Sequence, residues 1–165
     1  DFLRSTHPDH DLPAYVRRIR GERDRIAGLR GERWLLTNAP RDYAMQVLRL
    51  IGLEKMFSRF ISIEDMKFCG RLRPKPSRIL LKRLLHESRR APHHVVLVDD
   101  HNDNLKAAHR LGMPTARIFA SKTLLRRARE SGRPLAVRRP AYVRLQVNSL
   151  STLVRSQHRL ARRRG

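Results

Sequence analysis

The stretch Val95-Val96-Leu97-Val98-Asp99-Asp100 decides how this chain is read. Four aliphatic residues in a row, cut off by two acids, predict a strand covered on both faces, since a half-wet strand alternates apolar and polar residues. Asn104 to Leu111 follows with helical spacing, Gly112 closes it, and Thr115 to Phe119 predicts another strand. Upstream, Trp34 to Thr37 predicts a strand, Arg41 to Leu50 a helix ended by Gly52, and Phe60 to Ile63 a second strand. A loop through Cys69 and Gly70 leads to Lys75-Pro76 and a helix from Ser77 to His86. Apolar residues from Leu12 to Leu29 also recur at helical spacing. Strands alternating with helices predict an α/β protein with a parallel sheet and helices on both faces, because parallel neighbours need crossovers of about a dozen residues. Beyond Ser121 a basic helix, a loop at Gly132 and Pro134, a strand over 142–147 and a helix over 151–160 are expected.

A chain of 165 residues with 40% hydrophobic residues suits one domain with a true core. The single Cys69 excludes an intrachain disulfide, and no apolar run approaches the roughly 20 residues that cross a bilayer, so a reducing, cytoplasmic setting without membrane contact is expected. Net charge is +22, and residues 121–165 hold 13 lysines and arginines against Glu130 alone. Such an excess suits polyanion binding, which makes a nucleic-acid-binding module without catalysis the alternative. The few aromatic residues do not interleave with the basic ones as a single-strand stacking platform requires.

In open parallel sheets ligands bind at the carboxyl ends of strands. Thr37 and Asn38 end one strand, Asp99 and Asp100 end another, and Lys75 precedes a helix. A hydroxyl, an ammonium and a carboxylate pair on one edge suit phosphoryl chemistry. The acids would offer hard oxygens to Mg²⁺, the lysine would offset charge on the transferring group, and the threonine would hydrogen-bond a phosphoryl oxygen. Taken singly, Thr37-Asn38 also suits a helix cap and Lys75 a solvated surface position. Two adjacent acids after aliphatic residues repel each other unless something positive lies close, either helix N-terminal amides or a metal.

The motifs LLTNAPRDYAMQVLRLIGL at 35–53, ISIEDM at 61–66, RPKP at 73–76 and VVLVDDHNDNLKAAHRLGMPT at 95–115 together resemble the haloacid dehalogenase-like hydrolases, within them the pyrimidine 5'-nucleotidase type. The resemblance implies a Rossmann-like core over 30–120, the end of a helical cap and its return to the core over 1–29, and a basic C-terminal part over 121–165. It implies a Mg²⁺-dependent phosphohydrolase acting on a small phosphorylated metabolite, a nucleoside 5'-monophosphate, with a sugar phosphate or phosphoglycolate as alternatives. Thr37 and Lys75 would be catalytic and, with Asn38, bind phosphate. Asp99 and Asp100 would hold Mg²⁺, and Asn104 would brace their loop. Tyr43 stands where this subgroup carries a histidine.

The family attacks phosphate with the first aspartate of a D-x-D-x-T motif, forming an aspartyl-phosphate, while the second acts as acid and base. Asp9-His10-Asp11 has that spacing, but it follows Ser5, Thr6, His7 and Pro8 instead of an apolar strand, and Pro13 takes the threonine position. The resemblance therefore implies a fragment lacking the nucleophile strand and most of the cap, with negligible phosphatase activity and two unpaired strand edges. Asp100, Asn102 and Asn104 open like a calcium loop, but Leu105 and Leu111 replace its glycine and its glutamate. Adjacent His93 and His94 lack partners at zinc-ligand spacing, and Cys69 lacks an activating base.

Overall fold

The computed structural model describes residues 21–119 and 139–161. Asp9-His10-Asp11, most of the helix expected over 12–29, and the basic helix and loop expected after Ser121 lie outside them. Elements run in the order α1 (Glu22–Ala27), β1 (Trp34–Leu36), α2 (Arg41–Ile51), β2 (Arg59–Ile61), a 3₁₀ turn (Ile63–Met66), β3 (Lys67–Phe68), β4 (Arg71–Leu72) and α3 (Arg78–Ser88). A 3₁₀ turn (Pro92–His94), β5 (Leu97–Asp99), α4 (Asn102–His109), β6 (Thr115–Ile118), β7 (Leu145–Val147), α5 (Leu150–Ser156) and α6 (His158–Ala161) complete it. The chain divides into two compact units, Asp1–Leu80 and Leu81–Gly165.

In the first unit β1 and β2 pair in parallel, Leu35 opposite Phe60 and Leu36 opposite Ile61. The connection between them is α2, whose Ala44 and Leu48, one turn apart, are buried. Gly52 ends α2 with a left-handed φ of 73°, which lets the Leu53 amide reach back to the Leu48 carbonyl at 2.8 Å. Two guanidinium groups cover the aromatic residues of this sheet: Arg59 lies 4.7 Å from the Trp34 ring centroid and Arg41 5.0 Å from that of Phe60. The loop expected around Cys69 contains an antiparallel hairpin, β3 with β4. Its two turn residues, Cys69 (φ 48°) and Gly70 (φ 72°), both adopt the left-handed conformation that a two-residue hairpin of matching twist demands.

In the second unit β5, β6 and β7 form a parallel sheet in that order, with Val98 opposite Ala116 and Ala116 opposite Leu145. The buried Thr115 ties the start of β6 to the segment that leads into β7, its hydroxyl donating to the Tyr142 carbonyl and accepting from the Arg144 amide. Helix α4 lies against β5 and β6, burying Leu105 and Ala108, and α5 lies against β6 and β7, burying Leu153. The Ser149 hydroxyl accepts from the Thr152 amide at 3.2 Å and caps α5. The single helix expected over 151–160 is two, α5 and α6, parted at Gln157.

The strand expected to be buried on both faces is different in the structure. Strand β5 begins at Leu97, because the Val95 amide closes the preceding 3₁₀ turn on the Pro92 carbonyl at 3.1 Å. Val96 and Val98 are 37% and 39% exposed while Leu97 is half-buried. Side chains alternate across a strand, so the two valines share one face, and that face is open to solvent. Among the described residues β5 borders only β6, and β1 only β2.

Candidate active site

The candidate residues form two groups, one in each unit, with Thr37, Asn38, Asp99 and Asp100 at the carboxyl ends of β1 and β5. In the first, the Thr37 amide donates to the Ile61 carbonyl at 2.9 Å and extends the β1–β2 ladder by one residue. The Thr37 hydroxyl accepts from the Ala39 amide at 3.1 Å, folding the chain into a tight turn. That bond uses an acceptor site of the oxygen, and the O–H hydrogen can still be donated. Helix α2 is not capped by Thr37 or Asn38; its N-cap position is Pro40, without a side-chain cap bond.

Asn38 and Lys75, 37 positions apart, are brought together. The Lys75 amide donates to Asn38 Oδ1 at 2.9 Å, and Asn38 Nδ2 donates to the Lys75 carbonyl at 3.1 Å. The Lys75–Pro76 peptide is cis. Helix α3 then starts under Ser77, whose hydroxyl accepts from the Leu80 amide at 3.3 Å.

Sequence reading missed the group that braces this turn. Glu64 accepts from the Arg41 amide through both carboxylate oxygens, at 3.1 and 3.2 Å, and so satisfies the first turn of α2 from outside the helix. Asp65 Oδ2 accepts from the amide and the hydroxyl of Ser62, each at 2.8 Å, and from the Arg41 guanidinium. The signal was present in Ser62-Ile63-Glu64-Asp65, a serine followed three residues later by an acid. Burial raises the Asp65 pKa, but the Ser62 amide and hydroxyl and the Arg41 charge outweigh it and the net displacement is downward. Glu64 is lowered in the same way, with Ser62, its own backbone amide and Arg41 overcoming the burial effect.

In the second unit Asp99 is the last residue of β5 and half-buried. Its Oδ1 accepts from the His101 amide at 2.8 Å and from Asn104 Nδ2 at 2.9 Å. Asn104, on the first turn of α4, is only 8% exposed. The two bonds fold residues 99–104 into a fixed loop on which Asp100 stands exposed. Among the described residues no three His, Cys, Asp or Glu side chains gather as a metal cluster. Mg²⁺ commonly takes only one or two carboxylates from protein and fills its other positions with water and phosphate oxygens, so the Asp99-Asp100 pair fits that ion. His93 and His94 have ring centroids 4.1 Å apart, and Cys69 is exposed on its hairpin turn.

No curated protein sequence matches the chain. Solved structures do. The L-2-haloacid dehalogenase of Xanthobacter autotrophicus with chloropropionic acid covalently bound is similar at 21% identity and a TM-score of 0.62, over 92% of this chain and 68% of that one. A haloacid dehalogenase-superfamily hydrolase of subfamily IA from Geobacter sulfurreducens is similar at 19% identity and a TM-score of 0.61, over 92% of this chain and 66% of that one. A Thermotoga maritima protein described as a β-phosphoglucomutase is similar at 20% identity and a TM-score of 0.61, over 85% of this chain and 59% of that one. The chain spans 59–68% of the length of these three structures. At these identities the likeness is one of fold, a Rossmann-like parallel α/β core. The profile of haloacid dehalogenase-like hydrolases matches residues 30–118, more than half of the chain and all six candidate residues. The chain belongs to the haloacid dehalogenase-like hydrolase family.

Proposed function

We propose that this chain is the core of a cytoplasmic Mg²⁺-dependent phosphohydrolase that releases phosphate from a nucleoside 5'-monophosphate. The observation that supports the reading most is the pairing of Asn38 with Lys75, which ties a lysine to the turn carrying the Thr37 hydroxyl at a strand's carboxyl end. In this reading Thr37 donates its hydroxyl hydrogen to a phosphoryl oxygen, Asn38 contributes through its backbone, and the Lys75 ammonium offsets the charge that develops on the transferring group. Asp99 and Asp100 hold Mg²⁺, and Asn104 keeps Asp99 oriented from behind, as outer-shell partners of metal ligands do. When bound, the ion supplies Lewis-acid stabilisation of phosphoryl oxygens.

Thermal shift of the chain with Mg²⁺ and CMP, UMP, a sugar phosphate or phosphoglycolate tests the reading. Stabilisation should be largest with the pyrimidine nucleotides and vanish in Asp100→Asn. Stabilisation by phosphoglycolate alone would move the substrate and keep the reaction. The charge of +22 supports a second reading, a nucleic-acid-binding module. DNA or RNA affinity that falls steeply with salt and ignores Asp100→Asn, with no response to any small phosphate, would favour that module over the hydrolase.

A further inference from the structure

We infer that Asn38 is a positioning residue, a two-point amide clamp that sets the Lys75 backbone against the Thr37 turn. The inference rests on the phosphohydrolase reading, in which Lys75 meets the phosphoryl group, and assigns the lysine's placement to a side chain outside its own loop. A carboxamide has one acceptor oxygen and one donor nitrogen, and Asn38 directs both to the same residue, at 2.9 Å to the Lys75 amide and 3.1 Å to its carbonyl. One such bond leaves residue 75 free to pivot; two on opposite sides of its Cα set its orientation as well as its distance. The loop has further anchors on either side, from the Arg73 amide to the Met66 carbonyl and from the Ser77 amide to the Pro74 carbonyl, both 2.9 Å. Neither reaches β1. Asn38 does, and its own backbone is held where the Ala39 amide closes on the Thr37 hydroxyl oxygen. The geometry is specific to asparagine: aspartate keeps the acceptor but loses the donor, and glutamine is one methylene too long.

The test is a titration of the full chain with inorganic phosphate, followed by the backbone amide resonances of Thr37 and Lys75. Asn38→Ala should shift the Lys75 amide, speed its hydrogen exchange and weaken phosphate at these two resonances about tenfold, as misplaced binding groups do. Asn38→Asp should be weakened near neutral pH and recover toward the wild type, compared at equal pH, below about pH 4, where the protonated carboxyl regains a donor. A purely structural residue would show no such recovery. Phosphate binding within about twofold of the wild type in Asn38→Ala, while Lys75→Ala abolishes it, overturns the clamp and leaves the phosphohydrolase reading standing. Unchanged binding in Lys75→Ala removes the phosphohydrolase reading itself.

Discussion

Asn104 shows how one buried polar side chain governs a loop. It sits at 8% exposure beside the fully buried Leu105, and its amide nitrogen finds Asp99 Oδ1 at 2.9 Å. A buried donor left without a partner is costly, so the bond both satisfies Asn104 and holds Asp99. Asn104→Ala removes the donor together with its need for a partner, but takes from Asp99 Oδ1 one of its hydrogen bonds. The expected outcome is a loss of about 1–2 kcal/mol, read by calorimetry as a fall in Tm of about 4 °C. Asn104→Asp should be worse, since it places a second carboxylate against the first. An unchanged Tm in both variants would show that the Asp99–Asn104 bond contributes nothing to stability.

At the scale of elements, the turn after β1 is held by the 3₁₀ turn Ile63–Met66 more than by α2 itself. Glu64 and Asp65 both reach Arg41, one through its backbone amide and the other through its guanidinium. Their carboxyl groups titrate below their ordinary values of 4.5 and 3.8 when the chain is folded. The unfolded chain therefore takes up these protons first as acid is added. Their stabilisation is complete well above the ordinary values and is lost as pH falls through the lowered ones. Urea midpoints measured between about pH 6 and 2 should decline through that window, and Asp65→Asn should flatten the decline. A wild-type decline that Asp65→Asn leaves untouched would assign acid sensitivity to other carboxylates.

Over the whole molecule the governing quantity is the net charge of +22. Like charges at this density repel one another in the compact state, and salt screens them with a Debye length of about 10 Å at 0.1 M. Raising NaCl from about 0.02 to 0.3 M should therefore raise Tm by several degrees, where most surface ion pairs would be weakened instead. A flat or falling Tm would mean that Arg41–Asp65, Arg83–Glu87 and similar contacts dominate the electrostatics.

Local signals were enough for the alternation of elements, the parallel α/β class and the end of α2 at Gly52, because apolar period and helix stops are written in consecutive residues, whereas α4 ends at His109, ahead of the expected stop at Gly112. The four aliphatic residues before Asp99 misled, since composition cannot say whether a face is covered: the exposure of Val96 and Val98 depends on what packs there. The hairpin at Cys69-Gly70 and the two hydrogen bonds between Asn38 and Lys75 likewise emerged only in the folded chain. The pairing of Asn38 with Lys75 joins residues 37 positions apart, whose meeting is set by the chain path and not by neighbouring sequence. A side-chain amide such as that of Asn38 satisfies local and distant partners equally well, and only the folded chain selects which one it meets.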